Sequence, residues 1–425
     1  MNNQTNKLIP ELRFPEFTNE REWQNLSLEN VIDNFIVPMR DKPKQLDGEI
    51  PWCRIEDFNG MYLYGSKSNQ GVSLETIKEM NLKVYPVNTL LVSCSADIGR
   101  CAITQKLLIT NQTFIGLVPN IKKVNTIYLY YVMTNSKNEL NARSSGTTIS
   151  YLSRQQFEKF EIRVPSLTEQ QKIASCLFSL DELLTAHTDK LENLKIHKKG
   201  LIQNLFPQEG EKAPKFRFKE FENDGEWVEI FFSDLLDDII DFRGRTPLKL
   251  GMNWGNGDIV SLSANNVKNG YIDYKAECNL GSENLYKKWM GNVNLEKGDV
   301  VFTMEAPLGN ALLIPDSQKY ILSQRVVAFK TKKEFHNSFI IQLIWSNKFQ
   351  NEIKKLSTGS TAMGIGQKTL KNILIRVPKN TIEQEQIGET LSSLDNIIKE
   401  QADKIEQLKL HKKGLLQGLF PRVKN

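Results

Sequence analysis

The spacing of apolar residues along the chain marks two long segments, 166–206 and 379–421, that differ from the rest. In each segment, apolar residues recur at alternating steps of four and three over four to five heptads. The first series runs from Ile173 to Leu205, and the second repeats its rhythm. A 4–3 spacing sustained over this length is typical of the contact seam of a coiled coil. The pattern therefore predicts one long helix in each segment.

Polar residues within the two seams indicate how the helices pair. A parallel, in-register pair would set Lys198 against Lys412, where like charges repel each other. An antiparallel pair places each lysine opposite a leucine near the start of the other helix and brings His187 close to Gln401. We predict an antiparallel coiled coil whose central contacts are Leu180, Leu184, His187, Leu191, Leu394, Ile398, Gln401 and Ile405. The alternative is two unrelated amphipathic helices, each docked on its own domain.

Four apolar residues at the helix ends, Ile202, Phe206, Leu416 and Phe420, exceed what a two-helix seam can bury. We therefore expect exposed apolar surface along the helices, available to partner proteins.

The segments that precede the helices carry the pattern of mixed α and β structure. Short β-type runs lie among Gly and Asn turns, for example TLLVSC (89–94), TFIGLV (113–118) and DVVFTM (299–304). One helical stretch is expected in each segment, around 126–140 and 338–355. The predicted fold class is α+β.

An internal repeat organises the whole chain. LKIHKKGLIQNLFP (194–207) matches LKLHKKGLLQGLFP (408–421) at eleven of fourteen positions, 214 residues later. Three further segments match between the two halves: RFPEF with RFKEF, SSGTT with STGST, and IRVP with IRVP. The chain is therefore a tandem duplication of a globular block followed by a long helix. The predicted boundaries are 1–165 for domain one, 166–206 for helix one, 207–215 for a linker, 216–378 for domain two and 379–421 for helix two.

Composition adds little but excludes several classes of protein. The chain of 425 residues is 40% hydrophobic and 25% charged, with a net charge of +5, which is ordinary for a globular protein. No window approaches the ~20 apolar residues of a membrane span, and the N-terminus lacks the apolar core of a secretory signal. We expect a cytoplasmic protein. The five cysteines form no CxxC pair, so no metal site is expected.

The sequence lacks several common motifs of catalysis. It contains no GxxxxGK[ST] phosphate loop, no NPPY/F motif of amino-methylation and no GxGxxG after a strand. Ser93, Cys94 and Ser95 have no histidine nearby in sequence to act as a base. We expect a binding protein rather than an enzyme.

Polar and basic loops that recur at equivalent places in both copies suit nucleic acid. Arg and Lys neutralise phosphates, whereas Arg to guanine and Asn or Gln to adenine read base edges in the major groove. The candidate DNA contacts are Arg40, Lys42, Lys44, Arg54, Ser95, Arg100, Ser145, Thr147 and Arg154 in copy one, and Arg243, Arg245, Lys249, Asn265, Asn266, Lys268, Thr358, Ser360, Gln367 and Lys368 in copy two.

The sequence resembles the specificity subunits of type I restriction–modification enzymes over essentially its whole length. The resemblance is carried by LRFPEF (12–17) with Trp23, by FRGRTP (242–247), and by the TLLVSCSADIG (89–99) and DVVFTMEAPLG (299–309) stretches. It is completed by the doubled helices from TEQQKI and IEQEQI to their LFP ends. Copy one departs from it, having FIVPMRDKP (35–43) where copy two has FRGRTP.

The resemblance implies two target-recognition domains that read the halves of a split sequence in double-stranded DNA, with the helices setting the gap. It also implies partners: two methyltransferase subunits docked on the helices, and restriction or motor subunits. S-adenosylmethionine, ATP and Mg²⁺ would belong to those partners and not to this chain. Two alternatives stay open at this point, a coiled-coil adaptor that joins protein partners without reading DNA, and an enzyme with a concealed nuclease site.

Overall fold

The computed structural model describes residues 8–38, 41–95, 97–144, 151–359 and 362–421. It divides into two compact units. The first unit comprises the chain up to Thr188 together with the C-terminal segment from Lys404, and the second unit comprises Asp189–Asp403. Each unit therefore contains one globular block and parts of both long helices.

The first unit is built from short strands and helices around one long helix. Its strands are β1 (Gln24–Ser27), β2 (Ile32–Ile36), β3 (Ile50–Cys53), β4 (Tyr62–Leu63), β5 (Gly71–Val72), β6 (Leu90–Ser93), β7 (Cys101–Thr104), β8 (Ile109–Thr110), β9 (Phe114–Pro119) and β10 (Glu161–Val164). Its helices are α1 (Leu74–Glu79), α2 (Thr126–Asn135), α3 (Lys137–Arg143), α4 (Arg154–Glu158) and the beginning of α5 (Leu167–Leu205). The sheets have the orders β1-β10, β2-β9-β6-β7-β4 and β5-β3-β8.

The second unit contains the matching elements. Its strands are β11 (Val228–Phe231), β12 (Leu236–Asp241), β13 (Ile259–Leu262), β14 (Val267–Lys268), β15 (Tyr271–Ile272), β16 (Leu280–Gly281), β17 (Val300–Thr303), β18 (Ala311–Leu313), β19 (Tyr320–Leu322), β20 (Val326–Thr331) and β21 (Leu374–Val377). Its helices are α6 (Glu283–Met290), α7 (Asn337–Trp345), α8 (Asn347–Lys355), α9 (Gln367–Lys371) and the beginning of α10 (Thr381–Leu419). The sheets have the orders β11-β21, β12-β20-β17-β18, β16-β13-β19 and β14-β15.

The two units follow one plan, as the sequence repeat predicts. β3 runs parallel to β8 and antiparallel to β5, and β13 runs parallel to β19 and antiparallel to β16. The central pairs β6–β9 and β17–β20 share their register, with Ser93 opposite Phe114 and Thr303 opposite Val326. The fold is thus a tandem repeat of two α+β domains, each followed by a long helix.

The helical stretch expected in each block is divided in two by a serine. Ser136 ends α2 and donates its hydroxyl to the Val132 carbonyl at 2.8 Å. Ser346 ends α7 and caps α8, accepting a hydrogen bond from the Phe349 amide at 3.3 Å. A serine side chain that bonds nearby backbone groups competes with helix continuation, which explains both breaks.

α5 and α10 each extend over 39 residues, which corresponds to about 58 Å of helix. The 4–3 positions from Ile173 to Leu205 and from Ile387 to Leu419 are all buried or half-buried, whereas most positions between them are exposed. The burial along each helix therefore follows the 4–3 rhythm of the sequence, while the individual contacts at the middle of the seam stay a prediction.

Contacts inside each unit show that the helices run antiparallel. In the first unit, Leu419 near the end of α10 shares a core cluster with Ile173 near the start of α5, and Lys412 hydrogen-bonds Asp181. In the second unit, Leu205 at the end of α5 shares a core cluster with Ile387 near the start of α10. The helix ends also pack into the globular cores, so seam pairing and domain docking coexist. The proximity of His187 to Gln401 would join the two units and stays a prediction.

The seam lysines are neutralised in a way that the sequence argument missed. Lys198 Nζ donates to Asp395 Oδ1 at 2.5 Å and lies 4.9 Å from the centre of the Trp345 ring. Lys412 has the equivalent partners, Asp181 and the Tyr131 ring. Each lysine was expected to face a leucine, but a half-buried ammonium needs an anion, and the aspartate beside the leucine supplies it.

The four helix-end residues expected on the surface are instead packed inside the units. Phe206 stacks on Phe339, and Phe420 meets Trp23 edge-on. Ile202 and Leu416 are half-buried against the same two cores. For these four residues the expectation was wrong, because it counted only the seam and not the globular block against which each helix end packs.

A buried cluster in each unit ties the segment before the first strand to the start of a long helix. Arg13 donates from Nε and Nη2 to the two oxygens of Glu169 at 2.8 and 2.7 Å, and Trp23 Nε1 donates to Glu169 at 3.2 Å. The Arg13 and Glu169 side chains are only 6% and 1% exposed.

The second unit repeats this arrangement with Arg217, Glu383 and Trp227. These two Arg–Glu–Trp clusters explain why RF, Trp and EQ recur in both copies.

Candidate nucleic-acid interface

The second unit has a concave cavity of about 560 Å³ at the ends of β13 and β19. The residues that matter for its chemistry are Arg245, Asn253, Trp254, Asn265, Gln324 and Arg325. Among the described residues, no carboxylate side chain lines the cavity. A wall of guanidinium and amide groups suits a ligand rich in hydrogen-bond acceptors, such as phosphate oxygens or the major-groove edge of guanine.

Arg245 is held at the cavity wall by two contacts. Its guanidinium lies 4.4 Å from the centre of the Phe242 ring, and one of its nitrogens donates to the Trp289 carbonyl. A guanidinium carries five N–H donors, so most of them stay available to a ligand. Arg245 is therefore a cation held in place by a carbonyl and an aromatic ring, in a cavity whose described lining contains no carboxylate.

Arg243, in contrast, is engaged within the protein. Its side chain donates to both oxygens of Asp241, and Gln367 Nε2 donates to the same carboxylate at 2.6 Å. Burial acts to raise the pKa of Asp241, but the hydrogen bonds from Arg243 and Gln367 outweigh it and the pKa is lowered. Asp241 therefore stays ionised and brings the FRGRTP loop and the start of α9 together, two candidate regions that lie far apart in sequence.

The turn after β13 places two neighbouring candidate residues in different environments. Asn265 is exposed at the cavity, whereas Asn266 is fully buried. Asn266 accepts a hydrogen bond from the Ser263 amide at 2.8 Å and donates to the Ser261 carbonyl at 2.8 Å. Asn266 as a base contact is therefore a wrong assignment, because its side chain is used to close the turn.

The first unit has the same turn with different chemistry. The Arg54 amide donates to Asp57 at 2.7 Å, as the Ser263 amide does to Asn266. Arg54 itself is half-buried and lies 3.6 Å from Glu56. Glu56 therefore partly neutralises the charge of Arg54, a candidate DNA contact.

The other candidates of the first unit are mostly held by neighbouring groups. Arg100 donates to the Phe58 carbonyl at 2.8 Å, and Arg154 to Glu158 at 2.7 Å. Ser95 is half-buried and forms a β-bridge with Tyr151, which sets the 89–99 stretch beside the segment after SSGTT. Lys42 and Lys44 are exposed.

In the second unit, Lys249 donates to the Gly244 carbonyl at 2.7 Å, and Thr358 pairs with Gly364 through two backbone hydrogen bonds. Lys268 is half-buried in β14, and Lys368 is exposed on α9. Four candidates lie outside the described residues: Arg40, Ser145, Thr147 and Ser360.

Two cavity residues, Gln324 and Arg325, were missed by the sequence argument. They form the short turn between β19 and β20, and Arg325 has a left-handed backbone with φ of 65°. The signal that could have found them is the SQR triplet between two apolar runs, since polar residues in a tight turn are presented to solvent.

Neither a metal site nor a reactive thiol at Cys94 is found in the described part of the chain. Within the described ranges, no cluster of three or more His, Cys, Asp or Glu side chains has metal-site geometry. Burial raises the pKa of Cys94 to about 11, so this thiol is protonated at neutral pH and is a poor nucleophile. No helix in the described part of the chain is both long and apolar enough to cross a bilayer.

Comparisons with known proteins agree on one family. The family model of the type I restriction modification DNA specificity domain matches residues 20–195 and again 225–410. The type I restriction enzyme MjaVIII specificity subunit of Methanocaldococcus jannaschii is 27% identical over 426 residues, covering 96% of this chain and 98% of that protein.

Solved structures show a similar fold. The crystal structure of the type I restriction–modification S subunit from M. genitalium matches 98% of this chain and 100% of that one, with a TM-score of 0.63 and 15% identity. A chain from a study of complex assembly and conformational transition of the type I system matches 93% of this chain and 96% of its own length, at a TM-score of 0.50 and 14% identity. With two copies of the specificity domain over most of its length, the chain belongs to the specificity-subunit family of type I restriction–modification systems.

Proposed function

We propose that this chain reads a bipartite sequence in double-stranded DNA, one half with each α+β domain, at a spacing set by the paired helices. The observation that carries this proposal is the contrast between what the two units keep and what they change. Both keep the Arg–Glu–Trp cluster and the Lys–Asp pair of the seam. The loops around the cavity differ, with Arg54 and Glu56 in one unit where Ser263 and Asn265 stand in the other. Conserved geometry with altered loop chemistry supports two readers of different sequences.

We further propose that two methyltransferase subunits dock on the long helices, one for each unit. Support comes from exposed apolar residues that recur in both copies. Leu183 and Leu410 are 43% and 68% exposed in the first unit, and Ile397 and Ile196 are 47% and 60% exposed in the second. Since Asp181 bonds Lys412 across the antiparallel pair, Leu183 and Leu410 stand at the same level of the two helices. Paired exposed aliphatic residues of this kind favour a protein partner.

In this proposal the chain itself is not a catalyst. S-adenosylmethionine would be bound by the methyltransferase subunits, and ATP and Mg²⁺ by restriction or motor subunits that join the complex. The buried thiols and the scattered carboxylates of this chain support the assignment of catalysis to the partner subunits. The protein is expected to work in the cytoplasm, where these partners and the DNA are found.

Selection of bound duplexes from a random pool tests the proposal. The full chain, copurified with its methyltransferase subunits, should enrich two short fixed sequences separated by a gap of constant length. Affinity should also fall steeply with salt, because several phosphate contacts release counterions. An adaptor that does not read DNA would enrich nothing. A concealed nuclease would cut the pool when the chain alone is incubated with Mg²⁺.

A further inference from the structure

We infer that Arg325, on the turn between β19 and β20, is a specificity-determining residue of the second unit and reads a guanine in its half of the target. The inference rests on the proposed function and assigns part of it to a turn outside the loops that the sequence indicated.

The turn lies where a ligand in the cavity would meet it. Gln324 and Arg325 form one wall, and Arg245 belongs to the same cavity lining. Two guanidinium groups with a carboxamide, and no lining carboxylate among the described residues, favour a ligand edge that presents acceptors. Guanine presents N7 and O6 together in the major groove, and a bidentate arginine is the commonest specific contact to this edge.

Arg325 adopts a backbone conformation that is energetically unfavourable for a residue other than glycine. Arg325 has a φ of 65°, a region that non-glycine residues adopt uncommonly and that costs on the order of 1 kcal/mol or more. Its carbonyl accepts a hydrogen bond from the Met304 amide at 2.8 Å, which fixes the turn against the neighbouring loop. The strand ends thus hold a long polar side chain in a conformation where glycine or asparagine would be easier to accommodate.

The two side chains of the turn are available to a ligand. Gln324 is exposed and, within the described residues, makes no side-chain hydrogen bond. Arg325 is half exposed, and its Nε lies 3.1 Å from Glu305. This pair orients the guanidinium through one edge and leaves the Nη groups free for a bidentate contact.

The equivalent turn of the first unit differs at this residue. There the Thr113 carbonyl accepts a hydrogen bond from the Cys94 amide at 2.8 Å, as the Arg325 carbonyl does from Met304. Gln112 occupies the position of Gln324, but the residue that matches Arg325 is the short, neutral Thr113. The turns therefore share a glutamine and differ in the arginine, which is what two readers of different half-sites require.

A phosphate also offers hydrogen-bond acceptors, as the guanine edge does. Two substitutions of Arg325 distinguish a phosphate contact from a guanine contact. Arg325→Lys keeps the charge that a phosphate needs but removes the planar fork of donors. Arg325→Asn removes both, in a residue type that tolerates the left-handed backbone. Arg376→Ala, which removes an arginine from a different cavity of the second unit, serves as the control.

The full chain with its methyltransferase subunits is used to select bound duplexes from a random pool. Arg325→Asn and Arg325→Lys should both lose a guanine preference at one position of one half-site, by about five- to hundredfold. The other half-site should be unchanged, which shows within the same experiment that the protein is folded. Arg376→Ala should select the wild-type target.

Retention of the guanine preference by Arg325→Asn would overturn the inference: with affinity lowered equally on all sequences it would mean a phosphate contact, and with affinity unchanged it would place the turn away from the DNA. Full retention of the preference by Arg325→Lys would show that the planar fork of donors is not needed and would overturn the bidentate contact. If the wild-type assembly selects no sequence at all, the proposed function fails as well, so the two failures are distinguishable.

Discussion

The Arg–Glu–Trp clusters allow the stability of each unit to be perturbed separately. In the first unit, Glu169 is 1% exposed and accepts three hydrogen bonds, two from Arg13 and one from Trp23. Glu169→Gln keeps the size but removes the charge, and it sets an amide N–H₂ against the Arg13 guanidinium. Removing one partner of a buried ion pair costs about 3–5 kcal/mol, because the other charge stays buried without compensation. A domain of this size is stable by only about 5–15 kcal/mol, so the first unit should lose roughly a fifth or more of its stability.

Amide hydrogen exchange under native conditions, followed separately in the two units, measures this effect. Protection in the first unit should fall by the amount given, while the second unit keeps its own. Glu383→Gln is the matched control and should give the reverse result, since Glu383 holds the same position in the second unit. The double variant Arg13→Met with Glu169→Leu should recover at least about 2 kcal/mol, because apolar residues that replace a whole buried pair are often tolerated. A cost below about 1 kcal/mol, equal losses in both units, or no recovery in the double variant would refute the reasoning.

Two further predictions concern the helices. Lys412→Met should destabilise the first unit by about 1–2 kcal/mol in urea unfolding, because it leaves Asp181 half-buried without its cation. Lys412→Glu should cost more stability, and the second substitution Asp181→Lys should restore it. The absence of this rescue would show that the pair does not set the register of the two helices. Leu183→Glu with Leu410→Glu should remove one of the two methyltransferase subunits in native mass spectrometry, and glutamates at the matching pair of the second unit should remove the other; retention of both subunits in both variants would contradict docking on this surface.

The sequence predicts the helices and their seam well because the 4–3 rhythm is a local property of the chain. The orientation also follows from it, since Lys198 and Lys412 exclude the parallel arrangement. The partners of these lysines were not predictable in the same way. Asp181 and Asp395 lie beside the seam series and not in it, so only the three-dimensional register shows that they meet the lysines.

The candidate contacts were harder to predict than the fold, for physical reasons that differ from residue to residue. Asn266 and Asn265 are neighbours of identical type, and only the turn geometry decides which one is buried. Gln367 meets Asp241, the partner of Arg243, across 126 residues of sequence, and no local pattern predicts a contact over such a separation. Arg325 comes to the cavity because β13 and β19 run side by side, a pairing that no short motif indicates.

The central proposal is that the paired helices set the gap between the two half-sites. It is tested by inserting one heptad into both helices, after His187 in α5 and after Gln401 in α10, which preserves the 4–3 seam. Seven residues lengthen each helix by about 10.5 Å, equivalent to roughly 3 base pairs at about 3.4 Å each. Three base pairs also turn the duplex by on the order of 100°, so affinity should drop as the DNA is twisted or bent to present both halves. Selection from a random pool should therefore yield the same two half-sites, bound more weakly, at a gap about 3 base pairs longer. A lengthened protein that still selects the original gap would contradict the account.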